Sequence, residues 1–197
     1  MSTAWKQRLV RSLHINRSKP DARYFQLATV DRCGSPDNRT VVFRGFDDDE
    51  SMSLLTVTDT RSDKVAQVLQ NPSVSVAWYF RQSREQYRIN GFAELRVADD
   101  HSLDDLADDN ASYCVADTLK HWHALSDSAR AQFFWPHPKE PVDDSPQRIP
   151  RENASPYFAV LLIHPQSVQY LDLKPKPQCR ELYTLTDDGW MFEAVNP

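Results

Sequence analysis

The sequence predicts a mainly β protein, an antiparallel barrel or sandwich with a few helices placed between strands. Three observations support this prediction. Seven or more segments are rich in β-branched and aromatic residues, most of them follow one another across short polar turns, and few segments show helical periodicity. The order is a hairpin series, unlike the strand-helix-strand series that indicates a parallel sheet.

Length and composition set further bounds. The 197 residues suit one domain with its own hydrophobic core, and we expect residues 1–197 to form that single domain. The longest apolar runs, "VSVAWYF" and "YFAVLLI", are far shorter than the roughly 20 residues of a membrane helix. The N-terminal segment has no central apolar block of the signal-peptide type, so we expect a cytoplasmic protein that does not bind membranes.

Charge, cysteine and glycine usage exclude several function classes. A formal net charge of -5 gives no reason to expect a nucleic-acid partner. Three scattered cysteines show no metal-ligand or redox spacing, and we interpret them as free thiols. The four glycines do not cluster, which excludes a dinucleotide fingerprint and a P-loop. A bound phosphate would have to be held by side chains or by the end of a helix.

The elements of the first half follow in order. Trp5, Leu9 and Leu13 recur at helical spacing and predict an amphipathic N-terminal helix. Segment 61–70 has apolar residues on one helical face and stops at "NP", with Thr60 or Ser62 as its N-cap. Around this helix the patterns predict the strands "YFQLATV", "RTVVFRGF", "MSLLTVT", "SVSVAWYF" and "EQYRINGFAELRV".

The second half begins with helices and ends with strands. Residues 99–135 show a mainly helical pattern, and six prolines between Trp135 and Pro156 predict an irregular loop. A tight turn is predicted at "DDG", before the last strand. The strands of this half are "YFAVLLI", "SVQYLDL", "CRELYTL" and "WMFEAV".

The stretch "NRTVVFRGF" carries a charge at each end of an apolar strand. Arg39 and Arg44 are five positions apart, so they point to opposite faces unless a bulge or bend intervenes. Arg61, Ser62 and Lys64 lie at the start of a predicted helix, where the dipole and free N–H groups favour an anion. These residues indicate a phosphate site, and the alternative is surface ion pairing with nearby acids.

The order of the motifs resembles the pyridoxamine 5'-phosphate oxidase family of FMN-binding split barrels, and more closely its oxidase-related branch of the cyanobacterial type. The resemblance covers residues 24–91 and, with less specific motifs, residues 157–197. It implies an antiparallel split β-barrel, FMN as the cofactor, and a homodimer with the flavin at the subunit interface. The motifs are "RTVVFR", "TDTRSDK", "NPSVSVAWYF", "EQYRINGFAE" and a C-terminal "RELY".

The resemblance also implies a cofactor site. Arg39 would point to the phosphate and ribityl end of FMN, Lys64 would bind the phosphate, and Gln86 would contact the isoalloxazine edge from the other subunit. Asp63 stands where the family has an arginine, which Arg61 would replace. The implied cofactor-binding residues are Arg39, Thr40, Val41, Val42, Arg44, Val57, Thr58, Arg61, Ser62, Lys64, Gln86 and Arg180.

The substrate side departs from the family. The residues that grip pyridoxamine phosphate have no match in the middle of the chain, and "KPQ" replaces the C-terminal clamp. A site without its polar contacts loses discrimination, so the substrate stays unknown. Substrate-side candidates are Arg44, Arg88, Arg130 and Trp135.

Several alternatives stay open. The protein is interpreted as an FMN-dependent oxidoreductase, a flavin carrier or sensor without turnover, or a split barrel that binds heme or a deazaflavin. The aromatic cluster forms either core or dimer packing, or else a lid or wall over the flavin; its members are Trp122, Phe133, Phe134 and Trp135. Spacing argues against a metal site at His101, His121 and His123, because the region reads as helical and lacks a completing ligand.

Overall fold

A computed structural model of the protein describes residues 3–48, 52–98, 111–142 and 153–197. Its helices are α1 (Ala4–Ile15), α2 (Asp63–Gln70), α3 (Val115–His123) and α4 (Asp127–Ala131). Its strands are β1 (Tyr24–Val30), β2 (Pro36–Val42), β3 (Gly45–Phe46), β4 (Leu54–Asp59), β5 (Ser73–Phe80), β6 (Glu85–Val97), β7 (Ala111–Tyr113), β8 (Phe158–Asp172), β9 (Cys179–Thr186) and β10 (Gly189–Val195).

The strands form one curled sheet in the order β10-β9-β8-β6-β5-β1-β2. Strand β4 pairs with the first half of β8, while β9 pairs with the second half. Every pairing is antiparallel except that of β6 with β7. Within the described residues no strand pairing joins β2 to β4, so the barrel is split between these two strands.

Most predicted elements are present, with three differences. Ser62 is the N-cap residue of α2, whose apolar face is buried as predicted. The segments "YFAVLLI" and "SVQYLDL" form one continuous strand, β8, because Pro165 continues the strand instead of ending it. Strand β2 ends at Val42 and the chain bends before β3. The short strand β7 was not predicted, and residues 99–110, including His101, lie outside the described residues.

The protein buries two hydrophobic clusters, one on each side of β8. Inside the barrel, Leu161 and Ile163 pack with Trp5 of α1 and Val68 of α2. On the outer side, alternate β8 residues pack with α3 and the segment that follows it; this second cluster contains Leu55, Trp122, Leu125, Phe133, Phe158, Val160 and Leu162. Because helices cover its outer face, the first half of β8 is buried on both faces, which explains its uninterrupted apolar sequence.

A β-bulge interrupts the pairing of the two longest strands, β6 and β8. The register of β6 against β8 shifts between Asn90 and Gly91. A Cβ atom at Gly91 would lie 2.0 Å from the carbonyl oxygen of His164, so the close approach of the strands requires glycine here. The bulge sets the alignment of the first half of β6 with the second half of β8.

Within the described residues, no helix combines the length and apolar character needed to cross a membrane. Cys33, Cys114 and Cys179 are exposed free thiols, as predicted.

Candidate functional site

A cleft of about 390 Å³ lies at the split between β2 and β4. This volume falls within the range of small-molecule sites in proteins. Segments from β2, β4 and the start of α2 form one side, and the segment that follows α3 covers the other. The lining residues are Arg39, Thr40, Val41, Val42, Arg44, Thr56, Val57, Thr58, Asp59, Lys64, Leu125, Ala129, Gln132 and Phe133.

A bend brings both arginines of "RTVVFR" to this cleft. The N–H of Phe43 donates to the carbonyl of Arg23 at the β1 side (2.7 Å), whereas the next N–H, of Arg44, donates to Leu55 of β4 (2.8 Å). The chain therefore crosses from one side of the split to the other at these two residues. The alternation of strand faces is interrupted, and Arg39 and Arg44 line the same cleft.

Two strand edges face the cleft without strand partners among the described residues. Strand β2 pairs only with β1, and β4 pairs with β3 only at Leu54 and Leu55, which leaves the second edge of Thr56–Asp59 open. An open strand edge presents main-chain N–H and C=O groups that have no strand partner and instead bind water or a ligand. The cleft can thus hydrogen-bond a planar polar ring through main-chain groups as well as side chains.

Lys64 is the most informative residue of the cleft. Its Nζ donates to the hydroxyls of Thr58 (3.0 Å) and Ser62 (2.8 Å), and within the described chain no carboxylate lies within ion-pair distance of it. Burial lowers the pKa of Lys64, and the positive charge of Arg39 lowers it further. A half-buried ammonium with only hydroxyl partners creates a site for an anion.

Arg39 is held in place by a network of its own. Its guanidinium donates to Thr29 Oγ1 (2.6 Å), Asp37 Oδ2 (2.6 Å) and Gln67 Oε1 (3.1 Å), and to the carbonyl of Leu27 (3.1 Å). These contacts fix the position of the positive charge at the end of the cleft near Lys64. Because these contacts occupy its terminal N–H donors, the main contribution of Arg39 to the cleft is a positive charge at a fixed position.

Arg44 differs from Arg39 because its guanidinium has no hydrogen bond or ion pair with the described residues. Partial burial lowers the pKa of Arg44, and repulsion from nearby Arg23 lowers it further. Two neighbouring guanidinium groups without an acidic partner in the described part of the chain favour a negatively charged ligand.

The guanidinium of Arg61 does not line the cleft. It forms two hydrogen bonds with the carboxylate of Asp59 (3.0 and 2.7 Å), donates to the carbonyl of Trp135 (3.1 Å) and stacks 4.0 Å from the ring centre of Tyr157. Asp59 lines the cleft, so Arg61 neutralises a carboxylate of the site. Direct contact between Arg61 and a phosphate stays a prediction.

Comparison with known proteins identifies the family of the chain. The sequence profile described as "Pyridoxamine 5'-phosphate oxidase, FMN-binding domain" matches residues 2–97. A relative from Arabidopsis thaliana, pyridoxine/pyridoxamine 5'-phosphate oxidase 2, is 33% identical over 201 residues that span 98% of this chain and 96% of the relative. The chain belongs to the pyridoxamine 5'-phosphate oxidase family.

Solved structures confirm the split-barrel fold of this family member. A pyridoxamine 5'-phosphate oxidase-related, FMN-binding protein from Nostoc punctiforme is 39% identical, covers 100% of both chains and has a TM-score of 0.88. PhzG from Burkholderia lata, solved with tetrahydrophenazine-1-carboxylic acid, has a TM-score of 0.75 at 17% identity and covers 98% of this chain and 91% of that chain. The second likeness shows the fold alone.

Three of the residues predicted from the family resemblance lie together, but outside the cleft. Gln86 is opposite Leu171 on β8, which is opposite Arg180 on β9, and Arg88 is opposite Gln169. Arg180 also donates to Gln169 Oε1 (2.5 Å). Paired residues point to the same face of a sheet, so Gln86, Arg88 and Arg180 share the outer face of this family member's sheet.

The covering segment contains the remaining substrate-side candidates. Arg130 is buried, forms an ion pair with Asp127 and donates to the carbonyl of Trp122 (3.4 Å), while Trp135 is exposed; neither lines the cleft. Phe133 is both a member of the second cluster and a wall of the cleft. The core interpretation is confirmed at Phe133, and its role as a wall over the flavin stays a prediction.

Several cleft residues carry no signal in the sequence. Leu125, Ala129 and Gln132 reach the cleft only because the helices after β7 pack on the outside of β4 and β8. Thr56 resembles any other strand residue. Among the described residues, no group of three or more His, Cys, Asp or Glu side chains is arranged to hold a metal ion.

Proposed function

We propose that the protein is an FMN-dependent oxidoreductase whose substrate differs from that of the pyridoxamine phosphate oxidases. The observation that carries this proposal is the ammonium of Lys64, which faces a cleft of ligand size with only hydroxyl partners in the described chain. A terminal phosphate supplies the negative charge that this arrangement lacks. The family's profile, described as an FMN-binding domain, supports FMN as the source of that phosphate.

The residues around Lys64 fit a phosphate ester. The hydroxyls of Thr58 and Ser62 accept hydrogen bonds from its Nζ. Ser62 donates to the carbonyl of Asp59 at 2.7 Å, whereas Thr58 lies 3.4 Å from that carbonyl, so the Thr58 hydroxyl is the better placed of the two to donate to a phosphate oxygen. Ser62 makes no side-chain cap to the first turn of α2; the N–H of Val65 donates to the carbonyl of Ser62 (2.9 Å), and the N–H groups of Asp63 and Lys64 at the helix start can donate to an anion. Arg39 adds a fixed positive charge beside them.

The rest of the cleft fits a flat ring. The open edges of β2 and β4 provide main-chain donors and acceptors, with Val41 and Val57 beside them, and Phe133 and Leu125 shield the cleft from water on the other side. When bound, FMN would supply hydride or electron transfer at its ring. The protein would orient that ring and keep positive charge near it.

The substrate would enter on the side of Arg44. This guanidinium and that of Arg23 lie close enough to repel each other, and neither has an acidic partner among the described residues. We therefore expect an anionic substrate, held by charge at this end of the cleft.

Our proposal includes a homodimer with the flavin at the subunit interface. Gln86 and Arg180 lie on the outer face of the sheet, away from the cleft of their own chain. A second chain packed on that face would deliver them to its partner's cleft. The same face exposes large aromatic side chains, which is typical of an interface; they are Tyr24 (43% exposed), Tyr79 (45%) and Phe92 (41%).

The first experiment is the visible absorbance spectrum of the purified protein, followed by titration of the cofactor-free protein with FMN, FAD and riboflavin. We expect flavin bands and a preference for FMN. Reduction of the bound flavin by a candidate donor would separate an oxidoreductase from a carrier or sensor. A heme or deazaflavin spectrum, or no affinity for any of the three flavins, would overturn the proposal.

The variant Lys64→Met tests the phosphate site. It keeps the aliphatic stem and removes a charge-assisted contact worth about 1.5 to 3 kcal/mol, so we expect FMN to bind roughly 10- to 150-fold more weakly. Riboflavin, which lacks the phosphate, should bind as it does to the wild type. Lys120→Met, at an exposed position on α3, is the matched control. Equal affinity of Lys64→Met and wild type for FMN would refute this site.

A further inference from the structure

The phosphate end of the cleft continues into a side groove of about 250 Å³. Arg39 and Lys64 line both the cleft and this groove, so an anion seated between them faces both spaces. The opposite wall comes from Pro138 and Lys139, in the chain that follows α4 and a 3-10 turn at Gln132–Phe134. The groove is lined by Asp37, Arg39, Ser62, Asp63, Lys64, Pro138 and Lys139.

Three carboxylates surround Lys64, and each has a basic partner. Asp37 pairs with Arg39 and Asp59 pairs with Arg61 (2.6 and 2.7 Å), while Asp63 pairs with Lys139. All three carboxylates act electrostatically on Lys64 without lying within ion-pair distance of it. With the three pairs balanced, Lys64 supplies the net positive charge at this end of the cleft, away from Arg44.

The pair of Asp63 and Lys139 is the one whose basic member comes from a distant part of the chain. The turn that carries Lys139 is closed by a hydrogen bond from the N–H of Glu140 to the carbonyl of His137 (3.0 Å), and Lys139 itself has a φ of 74°. Arg61 donates to the carbonyl of Trp135, which fixes the same segment at its start. These contacts place the Lys139 ammonium over the first turn of α2.

We infer that Lys139 is a positioning residue for the cofactor phosphate: it neutralises Asp63, which would otherwise repel that phosphate from Lys64. This inference rests on the proposed function, since it assumes a phosphate at Lys64. Asp63 adjoins Lys64 in the chain and lines the same groove, so its charge acts at short range on any anion there. The pair also links the segment after α4 to cofactor binding, because a cofactor phosphate favours the conformation in which Lys139 covers Asp63.

The alternative interpretation is an ordinary surface ion pair. The side chains of Lys139 and Asp63 are 76% and 55% exposed, and such pairs contribute little to stability. Under that interpretation, removing Lys139 changes neither the affinity for FMN nor its difference from riboflavin. The two interpretations therefore differ in a measurable binding constant even though both predict a small effect on folding.

The test compares Lys139→Met, Asp63→Asn and the double variant, each titrated with FMN and with riboflavin. In water-like screening a unit charge about 6 Å from a phosphate changes a binding constant roughly threefold, and a doubly charged phosphate doubles that free energy. We expect Lys139→Met to bind FMN about three- to tenfold more weakly, Asp63→Asn to bind it more tightly, and the double variant to return to the wild-type affinity. Riboflavin should bind equally to all of them, and the FMN differences should shrink in 0.5 M salt.

Two results would overturn the inference. Unchanged FMN affinity in Lys139→Met would mean that the pair is an ordinary surface contact. A double variant that remains as weak as Lys139→Met would mean that Asp63 is not the cause. The proposed function is tested separately. If the wild type binds FMN and Lys64→Met binds it more weakly, the proposed function stands even when either of these two results overturns the inference about Lys139.

Discussion

Gly91→Ala tests how the two longest strands are held together. The added Cβ would lie 2.0 Å from the carbonyl oxygen of His164 and 2.9 Å from its carbonyl carbon, where ordinary contacts begin at 3.4 Å. Both obstructing atoms belong to the backbone of β8, so no side-chain rotation relieves the overlap. Strand β8 therefore has to move away by about 1.4 Å at this point, which is the difference between an ordinary contact of 3.4 Å and the 2.0 Å between the added Cβ and the carbonyl oxygen.

The cost follows from that displacement. Overpacking in a filled interior costs about 1 to 3 kcal/mol, and one or two weakened hydrogen bonds of the ladder add about 1 kcal/mol each. The lower entropy of the unfolded chain returns about 0.4 to 1 kcal/mol. We expect a net loss of about 3 kcal/mol in the free energy of unfolding, which corresponds to a fall in Tm of about 6 to 12 °C for a chain of this length.

The assay is urea and thermal unfolding at one protein concentration, because association with a partner shifts apparent stability. Gly34→Ala is the matched control: Gly34 has a φ of +82° and no atom within 4 Å of its added Cβ, so only backbone strain of about 1 to 2 kcal/mol applies. A loss in Gly91→Ala that is no larger than the loss in Gly34→Ala would refute the reasoning.

Two further predictions concern charge. Glu94 accepts hydrogen bonds from Ser112 (2.6 Å) and lies 3.0 Å from His164 Nε2; burial opposes its ionisation, but the Ser112 hydroxyl and the charge of Arg96 lower its pKa overall. The carboxylate therefore stabilises the fold at neutral pH and loses this effect as pH falls through the lowered pKa. We expect Glu94→Gln to be about 1 kcal/mol less stable at pH 7 and to approach the wild type in urea unfolding below about pH 4; a constant difference across this range would contradict that account. Arg61→Met should weaken FMN binding about three- to tenfold, because it leaves the carboxylate of Asp59 unpaired in the cleft. The double variant with Arg61→Met and Asp59→Asn should bind FMN as the wild type does in the same titration. Failure of that restoration would instead favour direct contact between Arg61 and the phosphate.

The amino-acid sequence determined most of the local structure and the family. Alternating apolar residues fixed β1, β5 and β6, and helical spacing fixed α1 and the buried face of α2, because these patterns record which side of each element is covered. The motif order from "RTVVFR" to "EQYRINGFAE" identified the family, which the relatives confirm. Eight of the twelve residues expected at the cofactor line the cleft: Arg39, Thr40, Val41, Val42, Arg44, Val57, Thr58 and Lys64.

Tertiary structure decided what these charges do. The sequence could not distinguish the roles of Arg39, Arg44 and Arg61, because a guanidinium's role depends on the acids that reach it in space. The fold ties Arg39 to Asp37 and Arg61 to Asp59, and it leaves Arg44 without an acidic partner among the described residues. It also brings Lys139 to Asp63 across 76 positions of the chain, a contact that local patterns cannot encode. Lys64 is significant only in that context, where the neighbouring carboxylates are neutralised and its own ammonium is left with hydroxyls.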